Sequence, residues 1–203
     1  MKKVVVLLAA VLCAFPAFAG DKGILKLSLW DDIAVAVPNN IHNITGIDLG
    51  IGSKADTVDG IQYDFIYNDA HKVRGIKTAW IYNSADIVYG LQGGLVTVNR
   101  QDMRGIQGGL VSINKGSMQG WQSGYINIAH GKMIGLQSGL VNYNEGYTKG
   151  VELGVVNWNT GHVSGLQLGV VNYAQNIYGL QIGLVNVAKN GWLPAMILVN
   201  GRF

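Results

Sequence analysis

The sequence predicts an all-β protein, an antiparallel up-and-down meander of about 12 strands closed into a barrel. Three observations lead to this prediction. A unit that begins with glycine returns about every 15 residues from Gly46 onward, the units alternate apolar and polar residues as strands do, and the chain starts with an export-type segment and ends at Phe203. A β-solenoid of 15-residue coils is the alternative that the same period allows.

The N-terminal segment, residues 1–19, has the form of a cleaved secretory signal peptide. Two lysines precede an apolar run that ends in Ala17-Phe18-Ala19, the small-residue pattern of a cleavage site. The only cysteine, Cys13, lies inside this segment, so we expect no disulfide or cysteine metal site in the mature chain. Residues 20–203 are then expected to form a single β-repeat barrel domain.

The first strand is predicted over Gly23–Val37, and the repeat follows it. The consensus unit is G-L-Q-x-G-L-V-N-x-N and then a short polar stretch, and we number positions from its first glycine. An eleventh unit starts at Leu193 without the glycine. Period-2 alternation and the Val, Ile and Tyr content indicate strands rather than helices. The glycines at position 1 are Gly46, Gly60, Gly75, Gly90, Gly105, Gly120, Gly135, Gly150, Gly165 and Gly179.

Two features of the unit favour an antiparallel meander over a parallel stack. A glycine often stands at position 12, as Gly116, Gly146 and Gly161 do, which suits a two-residue hairpin turn. A hairpin about positions 11 and 12 would also pair residues of matching character, such as Leu at position 2 with Leu at position 6. Closing the meander into a barrel would remove its exposed edges.

The charges indicate which face of each strand points inward. Positions 2, 4 and 6 hold no charged residue, whereas positions 3 and 5 include Asp48, Asp64, Lys77 and Glu152. Since a charged side chain facing lipid costs about 2–4 kcal/mol, position 3 should line a pore. The predicted pore-lining residues are Asp48, Gln62, Lys77, Gln92, Gln107, Gln122, Gln137, Glu152, Gln167 and Gln181.

Composition and residue grouping exclude several classes of function. Removing the two signal lysines leaves 13 basic against 12 acidic residues, a net charge of about +1, which gives no reason to expect nucleic acid binding. No Ser, His and carboxylate grouping recurs on one strand face, so we expect neither an enzyme nor a cofactor. The Asn column at position 8 is interpreted as strand-end hydrogen bonding at a membrane boundary.

The units Gln137–Asn142 and Gln181–Asn186, together with the ending LPAMILVNGRF, resemble a set of uncharacterised bacterial surface-repeat proteins built from GLQxGLVN units. The resemblance covers nearly all of residues 23–203 and implies a cell-surface or outer-membrane location without an activity. The pattern Gln-x-Gly-x-x-Asn-x-Ala at Gln167–Ala174 is also similar to the repeats of curli subunits, a weaker similarity that we interpret as convergent strand chemistry. The alternating last strand and Phe203 resemble the insertion signal of outer-membrane barrels.

These observations together predict an outer-membrane β-barrel, either a narrow polar-lined pore or a structural envelope protein. Its partners would be outer-membrane lipid, the barrel-insertion machinery and small solutes or ions. The alternative is a secreted or surface-attached β-solenoid, an adhesive repeat protein with its Leu columns inside and its Gln residues outside.

Overall fold

The structure is a computed structural model that describes residues 22–31, 33–37 and 42–203, all in strands and short connections. The predicted signal peptide, residues 1–19, lies outside the described residues. Within these described ranges, thirteen strands form one hydrogen-bonded system. They are β1 (Gly23–Trp30), β2 (Ile33–Val37), β3 (Asn43–Ala79), β4 (Tyr82–Gly93), β5 (Val96–Asn99), β6 (Asp102–Asn114), β7 (Ser117–Ala129), β8 (Met133–Ser138), β9 (Val141–Asn144), β10 (Thr148–Leu153), β11 (Val156–Leu168), β12 (Val171–Ala188) and β13 (Ala195–Arg202).

The strands are arranged as a β-solenoid, in which successive repeats lie on one another in the same direction. Strand β10 pairs in parallel with both β8 and β11, and Gly150 stands between Gly135 and Gly165. The all-β prediction is confirmed, but the antiparallel meander and the barrel are wrong. Each repeat is one coil of the alternative architecture, a β-solenoid of 15-residue coils.

In several repeats a bend divides the predicted strand of about ten residues into two segments, whereas β3, β6 and β7 continue through theirs without a break. In the coil of Gly135, β8 ends at Ser138 and β9 begins at Val141, with a bend at Gly139 and Leu140 between them. A second bend over residues 145–147 leads to the next coil. With two bends per repeat, the chain returns to its starting direction and each coil stacks on the previous one.

The bend after position 4 also changes which side chains face inward. Before it, position 3 is inside. After it, positions 8 and 10 are inside, as in Asn142 and Asn144, which are both 0% exposed, while Val141 at position 7 faces out. Alternation that continued without a break from position 3 would put position 7 inside, and the Asn column is predicted at a membrane boundary. Both placements were wrong, because the alternation restarts at the bend.

The glycine at position 1 is required by the stacking of the coils. Gly135 has a φ of 128°, and a Cβ built on it would lie 2.0 Å from the carbonyl oxygen of Gly120. Only glycine combines this backbone conformation with such a close approach. The glycines at position 12 stack in the same way: a Cβ on Gly146 would lie 2.2 Å from the oxygen of Gly131. They therefore serve a bend between parallel coils, and the predicted hairpin turns were wrong.

Both ends of the solenoid carry an antiparallel strand. The predicted first strand, Gly23–Val37, is a hairpin of β1 and β2, and β1 alone continues the parallel stack. At the other end, β13 runs antiparallel to β12, so the unit that starts at Leu193 is reversed rather than a further coil. Phe203, the predicted insertion signal, is 75% exposed just beyond β13.

The interior has an apolar half and an amide half. The apolar half is built from the residue two places before the position 1 glycines, which is apolar in every unit but that of Thr148, together with the alanines that fill position 10 in four units, Ala55, Ala129, Ala174 and Ala188. The amide half is built from positions 3 and 8. None of the residues that the structure describes forms a helix with the length and hydropathy needed to cross a membrane. The buried apolar residues before the glycines are Ile44, Val58, Val73, Val88, Met103, Met118, Met133, Val163 and Ile177.

Candidate functional site

The ten residues predicted to line a pore form one column at position 3, closed between the two strand layers of the solenoid. Each is at most 2% exposed, so they face a filled interior. The pore assignment depended on the barrel and is not retained. The arrangement is also the reverse of the faces expected for the solenoid alternative, because the Gln residues are inside and the Leu residues are outside.

Glutamine side chains at position 3 form a hydrogen-bonded ladder along the axis. The Nε2 of Gln137 donates to Oε1 of Gln122 at 2.9 Å, and that of Gln181 donates to Oε1 of Gln167 at 2.7 Å. The same amides reach across the coil, as Gln181 Nε2 does to the carbonyl oxygen of Val187 at 3.1 Å. Each glutamine thus joins neighbouring coils and ties the two layers of its own coil together.

A second ladder is formed by the Asn residues at position 8. Nδ2 of Asn142 donates to Oδ1 of Asn157 at 2.7 Å and to the carbonyl oxygen of Leu153 at 2.8 Å. The second bond satisfies a backbone oxygen at the bend of the next coil. Donors point toward the C-terminal end in this ladder and toward the N-terminal end in the Gln ladder, so the two columns of amide dipoles oppose each other.

Glu152 interrupts the Gln ladder. Its Oε1 accepts from Asn144 Nδ2 at 2.5 Å and from Asn159 Nδ2 at 3.3 Å, and its Oε2 accepts from Gln167. A carboxylate cannot donate a hydrogen bond to Oε1 of Gln137. Nδ2 of Asn144 donates to that oxygen instead, at 2.8 Å. Burial raises the pKa of Glu152, an effect that the hydrogen bonds from Gln167, Asn159 and Asn144 only partly offset.

Buried charges replace the amides in the first coils. Lys77 Nζ donates to Gln62 Oε1 at 2.6 Å, and Gln62 Nε2 donates to Asp48 Oδ2 at 3.0 Å. Asp64 is also fully buried, and neither of its carboxylate oxygens has a hydrogen-bond partner. Burial, reinforced by the charge of Asp48, raises the pKa of Asp64 to about 7, and burial lowers the pKa of Lys77 to about 7.

The outer surface carries a continuous apolar ridge at position 6, on the bend of each coil. Its members are 41–62% exposed. Ten such residues at the usual strand spacing extend over roughly 40 Å. A second column at position 2 runs beside it, from Ile47 to Trp121, with exposures of 41–43%. The ridge consists of Ile51, Phe65, Trp80, Leu95, Leu110, Tyr125, Leu140, Val155, Val170 and Leu184.

The opposite side of the cross-section, at the second bend, is a polar edge. Asp86 lies 2.7 Å from His71 and accepts a hydrogen bond from Arg100, which also pairs with Asp69 at 2.8 Å. Burial would raise the pKa of Asp86, but the hydrogen bonds from Arg100 and His71 outweigh it and hold that pKa below its usual range. Within the described ranges, no three His, Cys, Asp or Glu residues are grouped so as to hold a metal ion.

The sequence interpretation missed the bend at positions 5 and 6 and, with it, the amphipathic cross-section. The available signal was the glycine that fills position 5 in most units, since a Cβ on Gly139 would lie 2.2 Å from the oxygen of Gly124. Comparison of the chain with known protein families, with curated proteins and with solved structures gives no significant match.

Proposed function

We propose that the protein is a secreted or surface-attached adhesive repeat protein, and that its apolar ridge is the adhesive surface. The main observation in support of this proposal is that apolar side chains line the outer bend of the solenoid along its full length. Exposed apolar patches on monomeric soluble proteins rarely exceed a few hundred Å², and larger ones mark sites of interaction. The export-type N-terminus and the resemblance to bacterial surface-repeat proteins support the same location.

The ridge suits adhesion better than it suits folding. Its side chains lie on a convex bend and pack against their neighbours along the column, as Phe65 and Trp80 do with ring centroids 5.0 Å apart; Trp80 also donates to the hydroxyl of Tyr63 at 2.8 Å. The interior is closed by amide ladders and by the apolar residues before the glycines. An apolar surface, whether on a cell envelope or on another particle, would bury the exposed part of each ridge residue.

Substitution of the ridge tests the proposal. We expect a triple variant, Leu95→Asn, Leu110→Asn and Leu140→Asn, to adsorb to alkyl-coated beads roughly a hundredfold more weakly, at about 1 kcal/mol per leucine. The matched control replaces Ile76, Leu91 and Ile106, which are 41–42% exposed in the column at position 2 and lie off the ridge, with Asn. An equal loss of adsorption in both triple variants would show that any exposed apolar residue contributes to it, and would reject the ridge as the adhesive surface.

Cell fractionation tests the location separately. The mature chain should be found outside the inner membrane, in the medium or on the cell surface, and removal of residues 1–19 should retain it in the cytoplasm. Retention of the full chain in the cytoplasm would contradict the proposal regardless of how the beads behave.

A further inference from the structure

A cleft opens on the polar edge near the C-terminal end of the solenoid. Its volume is about 410 Å³. Tyr147 and His162 stand on one side of it, at the second bends of their coils, and Tyr178 stands on the other, on the outer face of β12. Ser164 lies between these walls. The principal lining residues are Tyr147, His162, Ser164, Asn176, Tyr178 and Arg202.

The cleft results from two local changes in the repeat. Ser164 pairs with Lys149 on one side and Tyr178 on the other, so a small side chain lies between two long ones in the same outer column. The next coil is one residue shorter at its second bend, where the register between β11 and β12 shifts and His162 comes opposite Asn176. The shorter bend recedes behind His162 and leaves the cleft open.

Most polar side chains of the cleft are not used by the fold; the exception is Asn190, which is hydrogen-bonded to the backbone of Ile177 through both its Oδ1 and its Nδ2. Among the residues that the structure describes, the side chains of His162, Ser164, Asn176 and Tyr178 make no hydrogen bond to another residue. Arg202 makes one, from Nη1 to the carbonyl oxygen of Asn190 at 3.3 Å, and its side chain is otherwise exposed. Tyr178 is 65% exposed, so its ring is available for packing against a ligand.

The unpaired charged side chains on the surface near the cleft are basic. Residues 146–203 contain a single acidic residue, Glu152, which is buried in the interior, whereas Lys149, Lys189 and Arg202 lie on the surface. The exposed carboxylate nearest to the cleft along the chain is Glu145, two residues before Tyr147, and it is paired with His130 at 2.8 Å. Among residues 145–203, no exposed acidic side chain is therefore left unpaired to repel an anionic group in the cleft.

We propose that this cleft binds an acidic saccharide, a sugar ring that carries a carboxylate. The guanidinium of Arg202 offers paired donors that match a carboxylate. The Tyr178 ring offers an apolar face for the C–H groups of the sugar, and Ser164, Asn176 and His162 supply partners for hydroxyl groups. The cleft lies away from the apolar ridge, so this site is independent of the adhesion proposed above.

Calorimetric titration of the full mature chain tests the site. The probes are a trisaccharide of galacturonic acid and the same trisaccharide with its carboxyl groups reduced to alcohols. We expect the acidic probe to bind at least about tenfold more tightly than the neutral one. Arg202→Gln should abolish that preference, and Tyr178→Ala should weaken both probes.

Arg104→Gln is the matched control, because Arg104 is an exposed arginine packed on an aromatic ring, that of Tyr89, in the same outer column but away from the cleft. It should leave both affinities unchanged. Equal affinity for the acidic and neutral probes, no binding of either, or the same loss in Arg104→Gln and Arg202→Gln would overturn the proposal. Circular dichroism of each variant separates a binding defect from misfolding.

Discussion

Replacing Glu152 with glutamine should stabilise the solenoid. Oε1 of a glutamine here can accept from Gln167, and its Nε2 can donate to Oε1 of Gln137, the bond direction that Gln137 already makes to Gln122. The change removes a buried negative charge and makes the ladder continuous through this coil. Asn144 and Asn159, whose Nδ2 groups now donate to Oε1 of Glu152, lose that acceptor, and Asn144 keeps its hydrogen bond to Gln137.

The size of the effect follows from the buried charge. Leaving a buried polar group poorly compensated costs about 1–3 kcal/mol, and we expect Glu152→Gln to recover an amount in that range at pH 8. The folded-state pKa of Glu152 is raised above its ordinary value of 4.5. The protonated form therefore favours folding, so the wild-type stability is fully present below pH 4.5 and falls as the pH rises toward the folded-state pKa.

Thermal unfolding at pH 4 and pH 8, followed by circular dichroism, measures the effect. The melting temperature of Glu152→Gln should exceed that of the wild type at pH 8 by about 2–4 °C for each kcal/mol gained, and the two proteins should converge at pH 4. Glu145→Gln is the control, because the hydrogen bond from His130 lowers the pKa of that exposed carboxyl and no gain is expected. A variant that is less stable than wild type at pH 8 would refute the ladder argument.

Two further substitutions test the charged and glycine columns. Lys77→Gln should stabilise the protein most below pH 7, because burial lowers the pKa of Lys77 from 10.5 to about 7. The gain in stability should shrink as the pH rises toward 10.5, which is the opposite pH dependence to that of Glu152→Gln. Melting curves at pH 6 and pH 10 measure this gain. Gly135→Ala should destabilise the protein by at least about 3 kcal/mol in denaturant titration, because it adds a side chain at positive φ against the backbone of Gly120 in the preceding coil. Gly108→Ala, where the nearest atom to a new Cβ is 4.0 Å away, should be tolerated, and equal losses in both would contradict the stacking argument.

The sequence sufficed to predict the repeat period and the strand content. It also indicated that position 3 is turned away from solvent, since Lys77 and Glu152 share that column with the glutamines. These inferences depend on residues within one strand segment, where alternation holds. From Gly135 to Ser138 the predicted and observed faces agree.

Strand direction could not be obtained from the repeat alone. A glycine at position 12 suits a hairpin turn, but Gly131 and Gly146 instead stack on one another in bends between parallel coils. The matching of position 2 with position 6 was equally ambiguous, because both positions are apolar for the same reason: position 2 faces outward before the first bend, and position 6 faces outward on it. The distinguishing information is the contact between position 1 glycines, which exists only between coils.

The C-terminal cleft could not be predicted from the sequence, for a different reason. Tyr178 and Arg202 are 24 positions apart and belong to an outer column and to a reversed strand, so no spacing in the sequence relates them. What the sequence does contain is the deletion that shortens the bend before Gly179. A deletion in one unit of a regular stack changes the outer shape at that coil alone, which makes irregular units the places to search for sites in such a repeat.

In each coil the residues that stabilise the solenoid differ from those proposed to bind a surface: the amide ladders lie in the interior, and the apolar ridge lies on the exterior. Each amide ladder supplies donors and acceptors to the coils above and below, so its energy depends on stacking rather than on the identity of the outer side chains. An unmatched amide remains where a ladder ends: Oδ1 of Asn127 has no partner, since the coil before it carries Ser112 in place of an asparagine. The ridge residues do not enter these networks, and they can therefore vary with the surface they contact while the solenoid beneath them stays the same.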